Sequence, residues 1–282
     1  MGGTRRYRAA LRVARAAAAV ARRARPRVAA TVRENLRLAY GSADRRLVRG
    51  VFRHFAEMAV DLAFFDDLFD PSRVDSHFER SGPGWDQFSA RARNGAVFVT
   101  GHFGNWELYG VALRHHGIPI APVARPLDGG RMGRWLDRFR RRHGQEVIAK
   151  KQALPLALKA LRAGRNVAFL NDQAAGRHGI PAPFFGRDVS TFPAPVALAR
   201  KAGVPLFAGY STRLGDGIRY RCHAEEVPLE GDDAAMTARL NRILEGYVRA
   251  CPEQWWWFHR RFKPRRSERA GRAVTPAGVP VS

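Results

Sequence analysis

From residue 96 onward the chain switches repeatedly between two hydrophobic rhythms. Short apolar runs at 96–100, 118–123, 166–170 and 205–210 read as strands buried on both faces. Between and around them, at 105–115, 131–142, 153–163 and 194–202, apolar residues recur three and four apart and predict helices. A further strand is expected over 218–227, a helix over 234–249, and a long loop over 171–192. Strands alternating with helices in this way predict an α/β fold with a mainly parallel central sheet covered by helices.

Upstream, Phe52, Phe55, Ala59, Leu62 and Phe65 lie at helical spacing and predict a core-packed helix over 51–65. Residues 4–25 are rich in alanine and arginine, both good helix formers, and Pro26 supplies a stop. The apolar face of that helix, Leu11, Ala14, Ala18 and Ala21, is thin. It reads either as a surface-binding helix driven by charge or as a solvated basic arm. The chain therefore divides into a basic amphipathic arm over 1–30, one main domain over 31–265, and a Gly/Pro/Arg-rich tail over 266–282 that is expected to be disordered.

Charge narrows the choice of partners. Lys and Arg total 49 against 25 Asp and Glu, a formal net charge of +24. Nine arginines lie in the first thirty residues, before any carboxylate; a second basic block spans 131–144 and a third 259–266. Such a chain meets either nucleic acid phosphates or an anionic membrane surface. It has no zinc-finger, RNP-type or GxxG signature, which disfavours nucleic acid. The two cysteines, Cys222 and Cys251, stand in no metal-ligand spacing and argue against a disulfide framework or zinc site. No apolar run approaches the length of a spanning helix, so membrane contact is expected to be peripheral.

The stretch that carries candidate chemistry is AVFVTGHFGNWELYG, residues 96–110. His102 falls in a glycine-punctuated turn behind a predicted strand, and Glu107 follows five residues later. Five residues on a regular helix put two side chains about 140° apart, so the pair converges only if His102 sits in the turn and Glu107 in the first helical turn. Gly101 and Gly104 supply the backbone latitude, and Asn105 is the expected N-cap. A carboxylate that orients an imidazole makes a general base for a hydroxyl. No serine or cysteine nucleophile stands nearby, which points to direct attack of a substrate hydroxyl on an activated acyl group.

These residues resemble a known family. VTGHFGNWELYG is similar to the HX4D/E block of the glycerolipid acyltransferase superfamily, and more narrowly of the late acyltransferases of lipid A biosynthesis. Four more stretches match in the same order: VRENLRLAYG (32–41), VARPLDGGRMGRWLDRFRRRHG (123–144), a long block over 171–210 and PEQWWWFHRRFKPR (252–265). The resemblance implies a glycerolipid-acyltransferase-like fold. It implies transfer of a fatty acyl chain from an acyl carrier protein thioester to a hydroxyl of a lipid A precursor, without metal or redox cofactor. The site would be the cytoplasmic face of the inner membrane, met peripherally. Coenzyme A as donor, and a lysophospholipid, phosphatidylinositol mannoside or other glycolipid as acceptor, stay open.

The resemblance also assigns residues. His102 matches the catalytic base and Glu107 its partner carboxylate. Arg125 matches an arginine near the active site, there to bind an acceptor phosphate or stabilise an oxyanion; a salt bridge with Asp128 reads equally well. Asp172 and Gln173 match a DQ pair that would fix the acceptor or support the His102 loop, although Asp after a strand is also a turn former. Phe184, Phe185 and Thr191 match a second substrate-site block, in which the two phenylalanines either line an acyl channel or fill the core. Arg134, Arg138 and Arg141 would face lipid phosphates or an acidic carrier protein, or else are simply solvated around a buried stripe of Met132, Trp135, Leu136 and Phe139. Trp255 and Trp256 with Arg260 and Arg261 resemble an interfacial aromatic-plus-basic patch, or else a block packed on the core. The arginine-alanine N-terminus departs from the apolar anchor usual in the family, so salt-sensitive association is expected.

Overall fold

A computed structural model describes residues 2–82, 84–124, 130–149 and 153–263. Helix α1 (Gly2–Ala24) ends two residues before Pro26, as expected, and Pro26 opens the first turn of a second helix, α2 (Pro26–Tyr40). Then follow α3 (Arg45–Ala63), α4 (Phe65–Leu68), α5 (Val74–His77), strand β1 (Phe78–Ser81) and α6 (Gly84–Arg91). The α/β alternation proper runs β2 (Val97–Thr100), α7 (Trp106–His115), β3 (Ile120–Ala124), α8 (Arg131–Arg142), β4 (Ile148–Ala149), α9 (Ala153–Arg162) and β5 (Asn166–Leu170). After a hairpin of β6 (Ile180–Phe184) and β7 (Arg187–Thr191) come α10 (Ala194–Ala202), β8 (Leu206–Arg213), β9 (Tyr220–Glu226) and α11 (Asp233–Ala250).

Seven strands form one sheet in the order β1-β9-β8-β2-β5-β3-β4, and every pairing is parallel except β8 with β9. The mainly parallel α/β architecture is thus the observed one. Helices cover the sheet, and every residue of β2 is buried, as a central parallel strand requires. The segment expected as a loop over 171–192 contains the β6–β7 hairpin. Its two-residue turn, Phe185-Gly186, has positive φ at both positions (52° and 68°), the geometry that matches strand twist. Phe185 tolerates it because Glu245 accepts its backbone N–H at 2.6 Å and Arg249 stacks on its ring.

The N-terminal helix is not a solvated arm. Tyr7, Leu11 and Ala18 of α1 are buried, and the first two pack in the same core cluster as Met58 and Leu62 of α3. Tyr7 Oη donates to Asp61 at 2.6 Å, and Arg15 pairs with Glu57 at 2.6 Å. Both carboxylates are shared with the buried Arg213 of β8. Asp61 also accepts from Tyr220, whose hydroxyl meets the Asn105 amide at 3.3 Å. A continuous polar chain therefore runs from α1 to the start of α7. The expected tail over 266–282 lies outside the described residues. Among the described residues no helix is long and apolar enough to cross a membrane.

Candidate active site

β2 and β5 are neighbours in parallel register, Thr100 opposite Leu170. Two residues past each lie His102 and Asp172, so the sheet itself sets them side by side. His102 Nδ1 lies 2.7 Å from Asp172 Oδ1, and the His102 backbone N–H donates to Oδ2 at 2.8 Å. The Trp255 indole donates to the same Oδ2 at 2.8 Å.

Asp172 is 3% exposed. Burial pushes its carboxyl up, but the charge of His102 together with the His102 and Trp255 hydrogen bonds outweighs that and holds it down at about 2. An ionised Asp172 only accepts, so the proton sits on Nδ1 of His102. Nε2 is left as the basic nitrogen, with no hydrogen-bond partner among the described residues. The ring is 21% exposed and rests edge-on against Trp106 at 4.9 Å.

The turn that carries His102 is built by glycine and closed by the segment that follows α11. Gly104 has φ +59°, and a Cβ there would stand 1.6 Å from the Ser211 carbonyl oxygen. Its N–H donates to the Gln254 carbonyl at 2.8 Å, its own carbonyl lies 3.1 Å from Nε2 of buried His54, and the Trp256 N–H donates to the His102 carbonyl at 2.9 Å. Asn105 caps α7 as expected, accepting the Leu108 N–H at 3.1 Å.

The expected orienting role of Glu107 needs correction. Glu107 points away into a bidentate pair with Arg140 of α8, at 2.8 and 2.6 Å, and also accepts from the Trp106 indole at 3.0 Å. It is 5% exposed and both of its oxygens are occupied. The helical offset that separates the two side chains was visible in their spacing; the turn does not undo it. Glu107 clamps α7 to α8, and Asp172 takes the place beside His102.

Several other expected site residues are structural. Phe184 and Phe185 are buried with Trp255 and Trp257 and pack against the partly buried Tyr40 in one aromatic cluster, so they fill core. Thr191 is buried and receives hydrogen bonds from Arg261 at 2.7 Å and Asn241 at 3.1 Å, which removes it from substrate contact. Arg261 is 0% exposed and Trp255 is 1% exposed, so neither meets a membrane. Arg261 binds the carbonyls of Gln173 and Ser190 at 2.9 and 2.8 Å, stitching the loop that carries Asp172 to β7. Burial depresses its guanidinium to about 10. The Gln173 side chain is exposed beside Asp172, Trp256 is half-buried against Phe55, Trp106 and Phe258, and Arg260 is exposed. Arg125 lies outside the described residues, as does Asp128.

A histidine held by a buried carboxylate at the carboxyl end of a parallel sheet is where α/β proteins place reacting ligands. Residues 6–264 match the sequence model of the bacterial lipid A biosynthesis acyltransferases. The chain belongs to that family. It is similar to a lipid A biosynthesis palmitoleoyltransferase of Escherichia coli, 31% identical over 83% of this chain and 78% of the relative. A lauroyltransferase of the same organism is 30% identical over 67% and 59%, respectively. A phosphatidylinositol mannoside acyltransferase of Mycolicibacterium smegmatis is 27% identical over 58% and 55%. The protein is thus an acyltransferase of the lipid A type, and its catalytic geometry can be read in those terms. The turn position of His102 was legible in the sequence, and Asp172 was expected to support its loop or fix the acceptor; its direct contact with the ring was not legible, because Asp172 becomes a neighbour only once β5 is known to pair with β2.

Proposed function

We propose that this lipid A-type acyltransferase moves a fatty acyl chain from an acyl carrier protein thioester to a hydroxyl of a lipid A precursor at the cytoplasmic face of the inner membrane. The observation that carries the reading is the ionised, fully hydrogen-bonded Asp172 against Nδ1 of His102, with Nε2 left open. Nε2 takes the proton of the acceptor hydroxyl as its oxygen bonds to the thioester carbonyl carbon. The tetrahedral intermediate collapses with cleavage of the carbon–sulfur bond, and the departing thiolate takes the proton back from the imidazolium. Asp172 fixes the tautomer and stabilises the transient imidazolium without itself being protonated. The +24 charge supports work beside anionic lipid.

Acyl carrier protein thioesters and a tetra-acylated lipid A precursor in mixed micelles test the reading by product mass. Wild type is expected to add one acyl chain, and His102→Ala to add none. Coenzyme A thioesters and phosphatidylinositol mannosides serve as alternative donor and acceptor, the latter because of the mycobacterial relative. Transfer that survives His102→Ala sinks the mechanism.

A further inference from the structure

Helix α8 carries two unlike faces. Arg140 turns inward to Glu107, and Phe139 is buried beside it. On the outer side, Arg131, Arg134, Arg138, Arg141 and Arg142 fall within about 100° of arc at 100° per residue. Arg142 pairs with Asp66 of α4. Among the described residues Arg131, Arg138 and Arg141 have no ion pair, and the one carboxylate of the helix, Asp137, leans toward Arg140 at 3.9 Å.

This basic face borders an apolar groove. The cleft between α3 and α8 encloses about 600 Å³ and is lined by Ala59, Leu62, Ala63, Met132 and Trp135, with Arg131, Arg134 and Arg138 as its rim. Its volume falls in the range of small-molecule and lipid sites. Met132 is 73% exposed, the most exposed large apolar side chain among the described residues. An unpaired methionine and a half-buried tryptophan beside arginines suit the boundary between headgroups and acyl chains, where water, phosphate and hydrocarbon meet within a few ångström. A water-exposed helix has no use for that arrangement.

The face also reaches the chemistry. The Arg140–Glu107 pair joins α8 to α7, whose first residue, Trp106, touches the His102 ring. Phe55 of α3, one turn before Ala59, packs against Trp106 and Trp256. Trp106 and Phe55 thus link the His102 ring to the α3 turn that lines the groove.

We infer that the outer face of α8, with the α3–α8 groove, is the surface by which the protein docks on an anionic bilayer, lipid phosphates on Arg131, Arg138 and Arg141 and acyl chains against Met132, Trp135 and Leu62. This deepens the acyltransferase reading and rests on it for the purpose of docking, but binding itself needs no turnover. It places the His102 turn next to the lipid surface, so a membrane-held acceptor offers its hydroxyl without leaving the bilayer.

Vesicles of phosphatidylcholine with and without phosphatidylglycerol test it by co-sedimentation over a salt series. The triple variant Arg131→Gln/Arg138→Gln/Arg141→Gln is compared with a charge-matched control, Arg162→Gln/Lys201→Gln/Arg242→Gln, at exposed positions on α9, α10 and α11. At about fivefold per basic residue removed, the α8 variant is expected to lose on the order of 100-fold in partitioning to anionic vesicles, and the control only a few-fold. Met132→Asp, which keeps every arginine, is expected to weaken binding at high salt, where charge is screened. Equal losses in both triple variants overturn the inference. So does an α8 variant that keeps vesicle binding but no longer binds an acidic carrier protein. Repeating the partitioning with His102→Ala separates the two readings: undiminished binding with no transfer leaves docking intact whatever the substrate proves to be.

Discussion

His102 and Asp172 are separated by 70 residues in the chain and stand at the same step beyond two paired strands, 2.7 Å apart. The imidazole and the carboxylate beside it, the proposed base and its orienting group, are therefore brought together by sheet register. A one-residue slip of β5 against β2 would turn the Asp172 side chain to the opposite face.

Asp172→Asn keeps the shape but offers His102 the wrong tautomer, and kcat is expected to fall on the order of 10³-fold or more with the fold retained. Glu107→Gln leaves Arg140 buried against a neutral amide, and the expected cost is about 3 kcal/mol of stability with little change in turnover per folded molecule. Thermal unfolding and single-turnover rates on both variants separate the roles. A Glu107→Gln protein that is stable but inactive would return Glu107 to the catalytic machinery.

Gly104→Ala places a Cβ against the Ser211 carbonyl at a φ that L-residues avoid. Either the turn moves or the chain fails to fold, so both the unfolding midpoint and activity are expected to drop. Gly117→Ala, where φ is also positive but nothing lies within 4 Å, isolates the cost of backbone strain at about 1 kcal/mol.

His54 supplies a pH signature. Burial holds its imidazole down to about 4 against an ordinary 6.5, while its Nε2 contacts the Gly104 carbonyl. The unfolded chain binds this proton below pH 6.5 and the folded one only below about 4, so stability rises with pH across that window and is lost on acidification. The contribution is about 3 kcal/mol. Denaturant unfolding of His54→Gln between pH 7 and 4 should show a slope shallower by about one proton than wild type.

Arg261→Lys exchanges a fork that holds the Gln173 and Ser190 carbonyls and Thr191 for a single ammonium. A loss of about 2–3 kcal/mol is expected, and kcat should fall more than KM rises, because the loop carrying Asp172 loosens while exposed substrate contacts persist. If KM alone changes, Arg261 acts on substrate binding and its buried contacts are incidental.

The strands and helices of the α/β core were legible because a buried parallel strand and an amphipathic helix differ in period. The Asn105 cap and the glycine turn were legible for the same local reason. What failed was non-local. Nothing in the sequence states that β5 pairs with β2, so Asp172 read as a turn former, an acceptor ligand or a support of the His102 loop, while the nearer Glu107 drew the role of partner to the ring. The β6–β7 hairpin was hidden by Pro181 and Pro183, which are poor strand residues yet sit exposed where their missing N–H costs nothing. Trp255 and Arg261 resembled either an interfacial patch or a block packed on the core, and their burial with polar partners that only folding supplies decides for the core.

The segment from Pro252 to Lys263 adds a dimension of time. It donates the Trp255 bond to Asp172, the Gln254 carbonyl to Gly104 and the Trp256 amide to His102. Synthesis delivers both reacting strands long before these twelve residues, and domains fold as they emerge from the ribosome. A nascent chain can therefore build most of its sheet while its imidazole remains unset, and the surroundings of His102 are completed only when this later segment docks.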